Sequence, residues 1–338
     1  MRVLITGGAG YIGSILAREL IGRGYDVTIL DAFIFGYDPI EEIKDRVKLI
    51  KTDIRSVSPN MFEGVDVVID AAAISNDPAG NLDENFTMSI NYEGRSKISA
   101  LCKKVGVKRY VAPASCAIYG ATNDLATEET PPNPLTAYAR ANMLWEKDVL
   151  NLADKTFCVT VMRQSTLYGY SPRMRFDLLV NTMARDLYTK NRIELRGDGR
   201  EYRPFIHIKD DCEAYIKVLE SEPDLINKQI FNTGSNEQNI KLSDLTKIVA
   251  KELGFEDSCK FGTLIDNRDY RVSFDKISKI LNFKPKYTIG DGAREVYNAI
   301  KEGKLDPKDP RTITVGWYKH LLDTGVISTI KPIDIKSN

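Results

Sequence analysis

The chain has 338 residues, 43% of them hydrophobic, which is enough apolar material for two modest domains and excludes a disordered chain. Lys plus Arg and Asp plus Glu number 47 each, with no block of like charge; this excludes the electrostatic footprint of a nucleic-acid or membrane-surface binder and favours a small polar ligand. The five cysteines, Cys102, Cys116, Cys158, Cys212 and Cys259, are odd in number, widely spaced and never arranged as C-x-x-C. They argue against a disulfide framework and a zinc site, and point to a reducing cytoplasm.

In chain order, Val3–Thr6, Val27–Asp31, Val47–Ile50, Val67–Ala71, Tyr110–Ala114 and Phe157–Met162 read as strands alternating with helical stretches. Such alternation predicts a parallel sheet wrapped by helices on both faces. The first run is too short, ahead of its glycines, to serve as a signal peptide or anchor, and no later stretch is long enough. Between the first two strands, Tyr11–Arg23 places Ile12, Ile15, Leu16 and Leu20 on one helical face, with Gly24 to end it. After about Thr166 the pattern loosens, punctuated by Pro172, Pro204 and Pro223, before a helix at Leu242–Leu253 closed by Gly254. The expected division is a first domain over 1–165, with return segments near 206–234, a smaller substrate-side domain over 166–330, and a poorly ordered tail from Lys331.

Directly after the first strand, glycines stand at Gly7, Gly10 and Gly13, spaced G-x-x-G-x-x-G at the mouth of the first helix, with Tyr11 and Ile12 between them. Backbone there must turn sharply and approach a pyrophosphate, while the helix N-terminus supplies amide donors and a positive dipole end. Asp31 ends the second strand, where a carboxylate accepts hydrogen bonds from ribose hydroxyls and repels a 2′-phosphate, so the expected cofactor is NAD rather than NADP. At these residues the chain resembles the extended short-chain dehydrogenase/reductases, specifically the NAD-dependent nucleotide-sugar epimerase/dehydratase family, nearly end to end. The resemblance implies a Rossmann-type doubly wound α/β fold with a smaller mixed α/β C-terminal domain. It also implies that Asp53 and Ile54 flank adenine, that Ala71 and Ala72 form a small-residue turn beside the cofactor, and that Asn91 steadies the central sheet.

Interconverting a carbonyl and an alcohol needs a proton carrier beside the carbon that exchanges hydride with nicotinamide, and a second group to hold the oxygen. In the family, a Ser or Thr precedes Tyr-Gly by four residues, and Tyr-x-x-x-Lys follows on a helix. Here Ser115 and Tyr119-Gly120 match the first motif and Tyr138 the second, but Asn142 stands where the lysine belongs. It lies one turn from Tyr138 on the same face, able to keep a hydrogen bond to the ribose while bringing no charge to stabilise a phenolate. Neither Arg140 nor Lys147 sits where it would replace that charge. The expectation is slow chemistry, an alkaline optimum or an altered task. Cys116 and Ala117 offer no acid for dehydration or decarboxylation; the layout resembles more closely that of UDP-galactose 4-epimerases, and Cys116 reads as packing.

On the substrate side, Gly197–His207 resembles the family segment whose arginine, here Arg203, clamps a nucleotide diphosphate. Arg268 resembles a second such arginine, and Asn181 falls where relatives contact the diphosphate or base. Thr166 and the loop Ile74–Pro78 depart from the better-known epimerases and leave the sugar open. His207 and His320, the two histidines, imply no metal site. Three functions follow: a nucleotide-sugar 4-epimerase, a net C4 dehydrogenase or reductase, or, because of Asn142, an NAD- and nucleotide-sugar-binding protein with little chemistry. By resemblance, subunits pair as a homodimer through a four-helix interface built from Glu84–Lys103 and Ala137–Leu150.

Overall fold

The computed structural model describes residues 1–256, 258–264 and 266–327; the tail expected from Lys331 lies outside them. Its main sheet has seven strands: β1 (Arg2–Thr6), β2 (Asp26–Asp31), β3 (Lys48–Lys51), β4 (Val67–Asp70), β5 (Arg109–Ser115), β6 (Cys158–Gln164) and β7 (Gln229–Thr233). Their order is β7-β6-β5-β4-β1-β2-β3, every neighbouring pair parallel. Strand order reverses between β1 and β4, which opens a crevice at their C-terminal ends, the place where such sheets bind ligands.

Successive side chains of a strand point to opposite faces. Val3, Ile5, Val27, Ile29, Val67 and Ile69 therefore enter the core on one side, and Leu4, Leu30, Val68, Tyr110 and Ala112 the core on the other. With both faces buried, the strands read as near-continuous apolar runs. Helix α1 (Gly13–Gly22) covers the first core through Ile15, Leu16 and Leu20, together with the helix Ile208–Glu220. Helices α2 (Arg95–Val105) and α3 (Ala137–Asn151) cover the second through Ile98, Cys102, Trp145 and Val149. The α1 helix starts two residues later than its apolar pattern predicts, because Tyr11 and Ile12 still belong to the glycine turn, where Gly10 N donates to Gly7 O at 2.9 Å.

The helix before α2 is irregular. Glu84–Met88 is α-helical, Ser89–Gly94 is π-helical, and α2 follows directly. Periodicity in the sequence does not show this.

The second lobe has a three-stranded sheet of Asn239–Lys241, Tyr202–His207 and Thr166–Tyr168, a strand pair of Ile193–Gly197 and Cys259–Leu264, and the helices Leu179–Lys190, Leu242–Glu252 and Ile289–Lys301. Val180, Met183, Leu187, Phe205, Leu245 and Val249 form its core. Pro204, expected to interrupt structure, lies inside a strand. Residues 202–204 pair with one neighbour and 205–207 with the other, so Pro204 sits at the handover, where a missing N–H is tolerated. No helix among the described residues is long and apolar enough to cross a membrane.

Candidate active site

A cavity of about 450 Å³ runs from the C-terminal ends of β1, β2 and β4 to the second lobe. At its cofactor end, Gly7 has φ +64°, and a Cβ there would stand 2.9 Å from the Ala72 backbone; a Cβ on Gly13 would stand 2.3 Å from Gly7 O. Only glycine lets these segments touch. Asp31 accepts from Ala9 N at 3.0 Å and Phe33 N at 2.7 Å, and burial pushes its carboxyl above the usual range while those amides oppose the shift. Beyond it, Ile54 lines the wall, and Asp53 accepts from Arg55 N at 2.8 Å and pairs with its guanidinium at 2.7 Å.

Arg173 reaches the same end from the second lobe. It stacks 3.7 Å from the Phe35 ring and donates to Thr314 Oγ1 at 3.2 Å, yet its buried Nη1 has no hydrogen-bond partner among the described residues. Burial lowers its pKa to about 10. A buried guanidinium nitrogen of this kind, lining the same cavity as the glycine turn, suits an anionic ligand. The cradle, Asp31 and Arg173 together fit a dinucleotide.

Tyr11 lines the cavity, and its hydroxyl is engaged by protein partners. It donates to Gly169 O at 2.6 Å and accepts from Asn181 Nδ2 at 3.1 Å. Ser14 and Ser171 hydroxyls lie 3.1 Å apart beside it, and Ser171 donates to Tyr11 O at 2.8 Å. Asn181 differs from its expected place against the diphosphate. Fully buried and off the cavity wall, it spends its amide on Tyr11, Gly169 N at 2.9 Å and Arg175 O at 3.0 Å.

At the middle of the cavity, Ser115 closes β5 and Tyr138 opens α3, and both residues line the cavity wall. Ser115 Oγ also accepts from Ala117 N at 3.1 Å. Thr136 caps α3 by accepting from Ala139 N at 3.1 Å, and its hydroxyl donates to Asp77 Oδ1 at 2.6 Å. Ala71, Ala72, Ala73, Ala114 and Ala117 make the surrounding wall, which leaves room for a flat ring. Burial and then Asp77 raise the Tyr138 pKa; Ser115, Arg95 and Arg175 pull it down. Asn142 is 2% exposed and off the cavity wall. Instead of offering itself to a ribose, as expected, its Nδ2 donates to Tyr138 O at 2.9 Å and its Oδ1 accepts from Arg95 Nη1 at 3.3 Å.

Arg203 and Arg268, both expected at a diphosphate, line the cavity together with Asp266 and Asp77. Arg203 donates to Tyr202 O at 2.8 Å, and its Nη2 lies 3.0 Å from Asp266 without hydrogen-bond alignment. Arg268 grips Asp266 through two nitrogens, at 2.9 and 2.6 Å, and reaches across to Asp77. Arg175 pairs with Asp177 at 3.0 Å and holds Ser75 Oγ at 3.0 Å. His207 Nε2 pairs with Glu295 at 3.0 Å, and no metal-binding cluster occurs among the described residues.

Residues 3–234 match the model of the NAD dependent epimerase/dehydratase family. The chain belongs to this family. A putative UDP-glucose 4-epimerase of Methanocaldococcus jannaschii is 28% identical over 310 residues, 88% of this chain and 98% of the relative. A UDP-N-acetyl-alpha-D-glucosaminuronate decarboxylase of Bacillus cytotoxicus is 27% identical over 330 residues, 90% and 99% of the two chains. Among solved structures, the UDP-glucuronic acid 4-epimerase from Bacillus cereus, in complex with UDP-glucuronic acid and NAD, superposes with a TM-score of 0.81 at 23% identity over 89% of this chain and 99% of that one.

Within this NAD-dependent epimerase/dehydratase, sequence reasoning missed Arg95, Arg173, Arg175 and Asp77. Arg173 and Arg175 lie in a stretch that reads as a loop between elements, and nothing in it says which arginine turns inward. Arg95 directly follows Asn91-x-x-Gly94, so its neighbourhood was visible; its direction depends on the π-helical stretch. Asn91 joins that stretch to the loop after β4, accepting from Ile74 N at 2.8 Å and donating to Ile74 O at 2.9 Å. Cys116 is buried, its Sγ donating to Arg163 O at 3.1 Å, and burial pushes its thiol up, as suits packing.

Proposed function

We propose that this protein is a nucleotide-sugar 4-epimerase or a related C4 oxidoreductase working through a transient 4-keto sugar. The observation that carries this reading is that Ser115 and Tyr138 line the same cavity as the Gly7–Gly13 turn, Arg203 and Arg268. When bound, NAD⁺ supplies the acceptor, and then the donor, of the C4 hydrogen. Gly7, Gly10 and Gly13 give the pyrophosphate its close approach, Asp31 takes the adenosine ribose hydroxyls, and Arg173 supplies charge. Tyr138 receives the proton of the sugar 4-hydroxyl, Ser115 holds the same oxygen, and Arg203 with Arg268 anchors the diphosphate. Turning the keto sugar over in the cavity presents its other face, after which Tyr138 returns the proton to the inverted alcohol.

Tyr138→Phe tests the reading. Turnover of nucleotide sugars should be abolished with their affinity nearly unchanged; wild-type-like turnover would overturn the assignment. Steady NADH formation from a nucleotide sugar would instead indicate net C4 oxidation. Asn142 supports a second reading, a binding protein with little chemistry, which a robust native rate would exclude. The homodimer proposal rests on resemblance and on Leu144, an exposed apolar residue on α3. A cytoplasmic site is supported by the five free cysteines, four of them buried.

A further inference from the structure

The helix Thr314–Asp323 lies outside residues 3–234, the stretch that matches the family. It nevertheless stands at the site. Thr314, Val315 and Tyr318, with Ile327 just beyond them, line the same cavity as Gly7, Asp31 and Ile54. A cavity whose floor is built by the first domain thus has a wall supplied from far along the chain.

The helix is fastened on both flanks of that floor. On one, Trp317 Nε1 donates to Ile34 O at 2.8 Å, and the Tyr318 ring meets Phe35 edge-on with centroids 5.7 Å apart. Arg311, just ahead of the helix, donates to Phe35 O at 3.3 Å and pairs with Asp38 at 2.7 Å. These partners follow Asp31 at the end of β2. On the other flank, Tyr318, Leu321 and Ile327 are buried with Ile74, Ala79 and Phe86, which follow β4. At the helix start, Thr312 O accepts from Phe176 N at 2.8 Å and Thr314 Oγ1 from Arg173 at 3.2 Å. Because β2 and β4 flank β1 in the sheet, the helix spans from one side of β1 to the other, across the end where the Gly7–Gly13 turn emerges.

The apolar part of this attachment is a small cluster separate from the two sheet cores. An element held by few buried contacts opens locally at a lower free energy than the core, so this helix can move without unfolding the sheet beneath it.

We infer that the helix Thr314–Asp323 is a retaining strap of the dinucleotide site: Val315 and Tyr318 wall the cavity near Asp31, and the helix must lift from Ile34 and Phe35 before NAD leaves. The inference rests on the placement of the dinucleotide between the glycine turn and Asp31. Lifting also frees Arg173 and Phe176 of the second lobe, which makes it a step in parting the lobes.

The test loads the whole chain with NADH and follows the fluorescence of bound NADH during a chase with excess NAD⁺. Arg311→Ala with Trp317→Phe cuts the fastening to residues 34–38 and alters no residue of the cavity wall. Release should be about tenfold faster, the effect expected of a lost hydrogen bond and ion pair. Trp317→Phe alone keeps an aromatic ring and loses the Nε1 bond; it should quicken release about threefold, and serves if the double variant fails to fold. Amide exchange in Thr314–Asp323 should slow when NADH binds. Folded variants that release NADH at the wild-type rate, or a helix whose exchange NADH leaves unchanged, overturn the inference while Asp31→Ala still weakens NADH binding. If Asp31→Ala binds NADH as wild type does, the placement of the dinucleotide falls, and the inference with it. Faster release in a protein that turns over no nucleotide sugar would uphold the strap while refuting the proposed activity.

Discussion

Replacing Asn142 by lysine would restore the family's Tyr-x-x-x-Lys spacing, and on sequence grounds it should raise activity. The structure predicts a cost first. Asn142 Oδ1 is 3.3 Å from Arg95 Nη1 in a site 2% exposed, so a new ammonium enters beside an existing buried guanidinium. Two like unit charges about 4 Å apart repel by ~4 kcal/mol at an effective dielectric constant of about 20. At roughly 2 °C per kcal/mol for a chain of this size, Asn142→Lys should lower Tm by roughly 5–10 °C near neutral pH. The introduced amine is more acidic in the folded than in the unfolded protein, so the unfolded state binds more protons between the two pKa values. The deficit relative to wild type should therefore shrink as pH rises through that window. Thermal unfolding of Asn142→Lys, Arg95→Met and the double variant at neutral and alkaline pH gives the measurement, and the double variant should lose less than the sum of the singles. An Asn142→Lys protein with unchanged Tm and much higher turnover would refute the reasoning and favour the weakly catalytic binding-protein reading.

Two further outcomes are expected. Asp31→Ala removes a carboxylate already oriented by Ala9 N and Phe33 N; NAD affinity by calorimetry should fall about 10–100-fold, the range of a lost charge-assisted pair of hydrogen bonds, with discrimination against NADP relaxed. Equal NAD affinity would remove Asp31 from the site. Asp211 is fully buried, and burial pushes its pKa up to about 8. Because the folded value lies above the unfolded one, its contribution to stability is undiminished below about pH 4 and falls away until about pH 8, a loss on the order of 5 kcal/mol. Asp211→Asn should therefore gain on wild type across that window in denaturant melts, and a pH-independent difference would show that Asp211 is ionised in the folded protein.

The sheet was legible because strands buried on both faces leave uninterrupted apolar runs, and the glycine turn because only glycine survives the contact of Gly7 with Ala72. Ser115 and Tyr138 were legible as a spaced pair, and both line one cavity. Arg95 and Arg173 were not legible, since a buried arginine looks like an exposed one until its neighbours are known. Asn181 illustrates the reverse. Its position in the chain suggested ligand contact, yet the amide is consumed by local backbone, which spacing cannot reveal. The same holds for Asn142, whose partner comes from a different helix, 47 residues earlier.

The bond from Tyr11 to Gly169 ties the Gly7–Gly13 turn to the second lobe as one latch. With the adjoining Ser14–Ser171 contact, it is shielded from water and must break before the lobes can part widely. A dinucleotide lying under that turn would then leave at the rate of lobe opening, whatever the strength of its own contacts. Long residence is of little use to an enzyme that must exchange spent cofactor at every cycle. It suits one that hands its electrons back to the molecule they came from, with the same dinucleotide serving many turnovers.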